Sequence, residues 1–283
     1  MSDTRTPLLQ ADGLTKTFIT QGSGVVFSGK NEFTAVDDVS FDVNARETLA
    51  IVGESGSGKS TMARIAAKLL EPTSGRVLLD GVDMTKAKGK ELAHFRSKVQ
   101  VVFQDPFSSL NPKHTVERIV MAPLDYQGVK PKTKRRDFVR DLMDRVGLNP
   151  DHSQRYPGQF SGGQAQRIGI ARALAVGPSL VVCDEAVSAL DVSVQAVVIK
   201  LLKDLQRERD LSYIFIAHDL AVVRHIADQV AVVHKGQIVE HGARDSIFDA
   251  PQHEYTRELL SAVPQINPEW EAARVANAQR ENS

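Results

Sequence analysis

Residues 53–61 read Gly-Glu-Ser-Gly-Ser-Gly-Lys-Ser-Thr, and no other stretch constrains the fold of this chain so tightly. Ahead of them, Thr48–Val52 (TLAIV) is a short β-branched, apolar run with the character of a buried strand. Behind them, STMARIAAKLLEP sets Met62, Ile65, Ala66 and Leu69 on one predicted helical face and stops at Pro72. A strand feeding a glycine loop that opens a helix is the setting in which GxxxxGK[ST] holds phosphate. Gly53, Gly56 and Gly58 let the backbone wrap closely, so that N–H groups along Glu54, Ser55 and Ser57 to Thr61 can point inward at phosphate oxygens. The helix N-terminus adds partial positive charge. Lys59 can reach the β- and γ-phosphates of a nucleotide, and Ser60 can ligate Mg²⁺.

Such a loop needs a carboxylate at the end of a neighbouring strand to hold the magnesium water shell. Leu180–Val182, Cys183, Asp184 and Glu185 supply one after the Gly177-Pro178 break. Asp184 sits where the metal acid belongs, and Glu185, just past the strand end, could orient or deprotonate an attacking water. A further apolar run, Tyr213–Ala217, ends in His218. Parallel α/β sheets bind ligands at the carboxyl ends of their strands, which makes His218 a candidate γ-phosphate contact. Cys183 lies within the apolar run and reads as a small buried hydrophobe rather than a nucleophile.

Bulk properties exclude several other chemistries. Thirty-five basic residues balance thirty-five acidic ones, so no global basic field attracts nucleic acid. With a single cysteine there is no intrachain disulfide, multi-cysteine zinc site or four-cysteine cluster. No apolar run approaches the roughly 18 residues that cross a bilayer, and the first residues lack a signal-peptide core, so a cytoplasmic chain is expected. Lys130–Arg136 is the one concentrated basic run; acidic residues follow it and no aromatics interleave, so it reads as a solvated loop and helix start rather than a nucleic-acid or lipid contact.

Taken together, these stretches resemble an ATP-binding cassette (ABC) ATPase, the motor subunit of membrane transporters, over nearly the whole chain. The resemblance implies a P-loop core with a mostly parallel sheet, an antiparallel β subdomain and an inserted helical subdomain. Phe18 falls where the family stacks an aromatic ring on adenine, with Phe27 and Phe33 as competitors because residues 20–33 exceed a tight hairpin. Gln104 matches the glutamine that touches metal and water and faces the membrane subunit. Asp184 and Glu185 match the acid pair, Asp191 the loop after it, and His218 the switch histidine. Ser161, Gly162, Gly163 and Gln164 (SGGQ) resemble the family signature, which caps the ATP held by another subunit. The expected ligands are ATP and Mg²⁺, the latter at Ser60, Gln104 and Asp184.

VVFQDPFSSLNP (Val101 to Pro112), DEAVSALDVSVQA (Asp184 to Ala196) and HEYTRELLSAVP (His253 to Pro264) are similar to the oligopeptide/dipeptide importer branch. That likeness implies two transmembrane permease subunits, a second ATPase subunit, a solute-binding protein acting indirectly, and attachment to the cytoplasmic face of the membrane. No nucleic-acid partner is expected. The DEAVSALD form favours a paralogue over an identical ATPase partner, and the cargo stays open among peptides, glutathione, nickel chelates and sugar derivatives. Departures from the pattern are Phe160 for leucine before the signature, Glu254 for proline, and the glycine-free turn Asn44–Glu47.

Alternating segments within residues 7–50 predict the antiparallel subdomain, and residues from about 107 to 170 the helical one. There DFVRDLMDRVGL spaces Phe138, Leu142, Met143 and Val146 as a helix face. The cassette is expected over 7–264, with a transporter-type extension over 251–283. A soluble ABC ATPase acting on nucleic acid or ribosomes would carry coiled-coil insertions, zinc cysteines or two cassettes. An inactive regulatory cassette would lack Lys59, Asp184, Glu185 or His218.

Overall fold

Two kinds of strand sequence divide this chain between two sheets: alternating segments early, continuous apolar runs later. In the computed structural model, which describes residues 6–21 and 30–262, the chain opens with a long hairpin of β1 (Leu9–Gln21) and β2 (Lys30–Val43). It then enters β3 (Thr48–Val52), the glycine loop and α1 (Lys59–Ala66). Next come β4 (Ser74–Leu79), β5 (Val82–Asp83), α2 (Gly89–Lys98) and β6 (Val99–Val102). The helical stretch holds α3 (Pro106–Ser109), α4 (Val116–Gln127), α5 (Arg135–Arg145), two 3-10 turns and α6 (Gly162–Leu174). The core resumes with β7 (Leu180–Asp184), α7 (Val192–Arg209), β8 (Ser212–Ile216), α8 (Leu220–Ile226), β9 (Gln229–His234) and β10 (Gln237–Ala243). The described chain ends with α9 (Arg244–Asp249) and α10 (Glu254–Ser261).

The six-stranded sheet has the order β10-β9-β3-β8-β7-β6, parallel except for the β9–β10 hairpin. Its central strands β3, β7 and β8 are buried on both faces, which is why they read as unbroken apolar runs, whereas the edge strand β10 is half-exposed. Leu49 and Ile51 of β3 pack with Ile214, Ile216, Leu180 and Val182 on one face, against α1 and the first sheet. Ala50 and Val52 join Tyr213, Phe215, Val181 and Cys183 on the other, against α6, α7, α8 and the helical stretch. The period-two alternation of side chains thus sorts each strand between two cores.

The antiparallel sheet, ordered β2-β1-β4-β5, is larger than the sequence predicts, because β4 and β5 join it from residues 74–83. Asp80 and Gly81 turn this hairpin with φ 50° and 77°, the positive pair of a type I′ two-residue turn. The helix after the glycine loop is also shorter than its pattern. It stops at Ala66, Lys68 takes φ 53°, and Leu69 is 48% exposed rather than on the buried face. Lys68 forces this exit: its buried side chain donates to both carboxylate oxygens of Glu71 and to the Thr85 carbonyl. The basic run ends in the start of α5, where Arg135 pairs bidentately with Asp125 at 2.8 Å.

Cys183 is fully buried in β7, and that burial, with the Asp184 charge beside it, pushes its thiol up to about 12. At pH 8 almost no thiolate exists, so a thiol-specific reagent should label the chain only once it is denatured. Labelling of the native chain at a free-thiol rate would contradict this packing.

Candidate functional site

Three parallel strands deliver chemistry to one edge of the sheet: β3 opens the glycine loop, β7 ends at Asp184, and His218 follows β8. Gly53 has φ 146°, and a Cβ there would lie 2.1 Å from the Val233 carbonyl. Gly58 has φ 108°, and its Cβ would lie 2.3 Å from the Ala35 carbonyl. Neither position admits a side chain, so the loop is gripped between the β9 end and β2. Gly56, with φ 78°, faces open space.

Lys59 is only 3% exposed, and its Nζ donates to the carbonyls of Gly53 (2.8 Å) and Glu54 (2.5 Å). Burial draws its ammonium below the usual lysine value, while Glu185, Asp184 and Glu54 pull in the opposite direction. Ser60 Oγ donates to Asp184 Oδ1 at 2.7 Å, and Arg64 Nε stands 3.6 Å from Asp184 Oδ2. The two oxygens form a hard donor set.

Glu185 is strained into φ 51°, a left-handed conformation that is uncommon away from glycine and clusters at working sites. Its N–H donates to the Ile216 carbonyl at 3.2 Å, and its Oε1 contacts His218 Nε2. Its side chain is 12% exposed and that of His218 40%, so the pair faces outward from a covered carboxylate. Gln104 Nε2 reaches Ser188 Oγ at 3.3 Å, and Ser188 Oγ donates to the Glu185 carbonyl at 3.0 Å. Gln104 is thereby tied to the acidic loop. The buried Gln166, which no sequence signal singles out, donates to the neighbouring Phe103 carbonyl at 3.3 Å.

A cleft of about 320 Å³ lies over this edge, lined by Ser55, Gly56, Gly58 to Thr61, Glu185 and His218. Phe18 and Phe33, cross-strand partners in β1 and β2, both line it as well, so the hairpin brings two of the three candidate aromatics to the site. Phe27 lies outside the described residues.

Ser161 to Gln164 do not line that cleft. They form a capping box at the start of α6: Gln164 N–H donates to Ser161 Oγ at 3.3 Å, and Ser161 N–H to Gln164 Oε1 at 3.0 Å. The N–H groups of Gly162 and Gly163 in the first turn have no intrahelical partner. Asp191 caps α7, accepting from Val194 N–H at 3.0 Å and Ser193 Oγ at 2.6 Å. The two caps are neighbours, since a Cβ on Gly163 would fall 2.3 Å from Val194 Cγ1.

A phosphate loop, an acid pair and a histidine at adjacent strand ends, with a helical insertion between loop and acids, define a nucleotide triphosphatase cassette. Residues 36–188 match the family described as ABC transporter, and residues 239–283 match the oligopeptide/dipeptide transporter, C-terminal region. The chain is 49% identical over 261 residues to the probable peptide ABC transporter ATP-binding protein y4tS of Sinorhizobium fredii, covering 92% of this chain and 74% of that one. It is 50% identical over 243 residues to the oligopeptide transport ATP-binding protein OppF of Bacillus subtilis, covering 85% and 80%. Among solved structures, the dimeric post-hydrolysis state of the ATP-binding cassette MJ0796 with ADP and Pi superposes with a TM-score of 0.73 at 29% identity, over 83% of this chain and 98% of that one. This chain belongs to the ABC transporter family, as one of its ATP-binding and ATP-hydrolysing cassettes. Its C-terminal region aligns it with the oligopeptide/dipeptide branch.

The contact between the two caps gives a direct test. Gly163→Ala should lower both stability and ATPase activity, and Val194→Ala should partly restore them, with a coupling of about 1–3 kcal/mol in a double-mutant cycle. Additive effects would show that the contact does not hold α6 on α7.

Proposed function

We propose that this cassette hydrolyses ATP to drive uptake of peptides, or of a related small solute, through membrane-spanning subunits that are separate chains. The reading rests above all on the meeting of Lys59, Ser60, Asp184, Glu185 and His218 at one sheet edge, beside an aromatic pair. The transported class is drawn from the C-terminal match and from the relatives named for peptide import. No described helix is long and apolar enough to cross a membrane. Two permease subunits, a solute-binding protein acting through them, and a position at the cytoplasmic face complete the proposal. Nucleic acid has no part in it.

Each side chain has a role that follows from its chemistry. Backbone N–H groups within Ser55 to Thr61 and the Lys59 ammonium hold the ATP phosphates, and the Gly53 and Glu54 carbonyls hold Lys59. Phe18, with Phe33 across the hairpin, takes the adenine ring. Ser60, Asp184 and Gln104 would hold Mg²⁺; the Ser60–Asp184 oxygen pair fits an ion that takes one or two carboxylates and completes its shell from phosphates and water. Bound there, Mg²⁺ supplies charge neutralisation on the β- and γ-phosphate oxygens. Glu185 accepts the proton of the attacking water, and His218 holds that carboxylate and contacts the γ-phosphate. Ser161, Gly162, Gly163 and Gln164 present a helix N-terminus to the γ-phosphate held by a second ATPase subunit, with Asp191 at the same junction. Two ATPs are then buried head to tail, and loss of the γ-phosphate lets the pair open. A paralogous partner is favoured over an identical one.

Glu185→Gln should keep ATP binding but lower hydrolysis by about 10²- to 10⁴-fold, leaving a persistent ATP-bound dimer in size-exclusion runs. Turnover at the wild-type rate would remove Glu185 from this role. On that same background, Ser161→Arg should spare ATP binding by its own chain yet abolish the ATP-driven dimer. An unchanged dimer peak would contradict the cross-subunit role.

A further inference from the structure

The helix α10 belongs to the C-terminal region, outside the phosphate-binding motifs, yet it reaches the glycine loop. The Tyr255 hydroxyl accepts the Glu54 N–H at 3.1 Å. Tyr255 is 7% exposed, and its ring lies against that of His234 with centroids 4.0 Å apart and planes tilted by 43°. His234 ends β9, and two residues on, the Gly236 N–H donates to the Ser57 carbonyl at 2.9 Å. Two late segments of the chain therefore hold the loop by its backbone, at residues 54 and 57.

The Glu54 N–H shares one peptide plane with the Gly53 carbonyl, and that carbonyl accepts from Lys59 Nζ at 2.8 Å. A planar peptide is rigid, so Tyr255 and Lys59 grip opposite ends of one unit whose tilt they share. The tyrosine also occupies the Glu54 N–H, which is therefore not among the donors left for a phosphate. The helix itself is anchored rather than loosely laid down. The N–H groups of Gln252 and His253 donate to the Glu240 carboxylate of β10 at 2.8 and 3.0 Å, and His253 Nδ1 caps α10 by accepting the Tyr255 N–H at 3.2 Å.

We propose that Tyr255 is a positioning residue for the ATP site: its hydroxyl sets the Gly53–Glu54 peptide and, through it, the Lys59 ammonium, so that docking of α10 is read out as nucleotide affinity. The proposal rests on the reading of Gly53 to Thr61 as the ATP-binding loop. It makes the C-terminal region part of the nucleotide site rather than an appendage to it.

Tyr255→Phe in the full chain keeps the ring on His234 and removes only the acceptor. The KM for ATP should rise about 3- to 10-fold, the effect of one lost hydrogen bond, while kcat stays within about twofold and the thermal midpoint is essentially unmoved. Tyr255→Ala, which also loses the ring, should raise KM further and lower the midpoint. A wild-type KM in Tyr255→Phe, or a fall in kcat and midpoint with KM unchanged, would overturn the proposal and leave Tyr255 a packing residue. A wild-type chain that fails to bind ATP at all would instead remove the underlying reading, and this proposal with it.

Discussion

The buried ammonium of Lys59 is the interaction on which the rest of this structure turns. An unpaired charge at 3% exposure would be strongly destabilising, and here the carbonyls of Gly53 and Glu54 compensate it. Those bonds close the loop on itself. They also set Ser60, the next residue, against Asp184 on the neighbouring strand but one, with β8 between. The loop holds this shape only because Gly53 and Gly58 lack side chains where Val233 and Ala35 press on it. Both sheets therefore meet at the loop: the antiparallel one through β2, the parallel one through β3 and β9.

From that anchor the division of labour is physical. The central parallel strands, buried on both faces, present their ends to the site, and the strained Glu185 backbone follows one of them. The helical stretch carries a second set of free N–H groups at the start of α6, held to α7 by Gly163 against Val194 but kept out of the cleft. Under the proposed pairing, the cradle and the helix start of one chain are each half of a site. That is the physical ground for pairing with a second cassette.

What was legible in the sequence was whatever is written in contiguous residues. The glycine loop, the acid pair and the SGGQ stretch each depend on neighbours a few positions apart, and their residue types carry the chemistry directly. Apolar runs gave the parallel core for the same reason. Contacts between distant segments were not legible. Tyr255 is 201 residues from Glu54, and its sequence offers only a likeness to a transporter tail. The α1 pattern continued through Leu69, but a buried Lys68 bonded to Glu71 and Thr85 overrode it. The Asp80-Gly81 hairpin had a readable turn signal, yet β5 is two residues long and leaves no alternation to find. Of the extension expected over 251–283, residues 263–283 lie outside the described residues.

The central claim is that each ATP is completed by a second subunit, and mixing two disabled chains tests it most directly. Lys59→Ala disables a chain's own loop, and Ser161→Arg disables what it lends to its partner. Under conditions where the wild-type chain hydrolyses ATP alone, each variant should be inactive by itself. An equal mixture should recover activity, up to about a quarter of wild type with random pairing, because one site in each mixed dimer is built from intact halves. A mixture as inactive as its components would contradict the account and return Ser161 to the role of a helix cap.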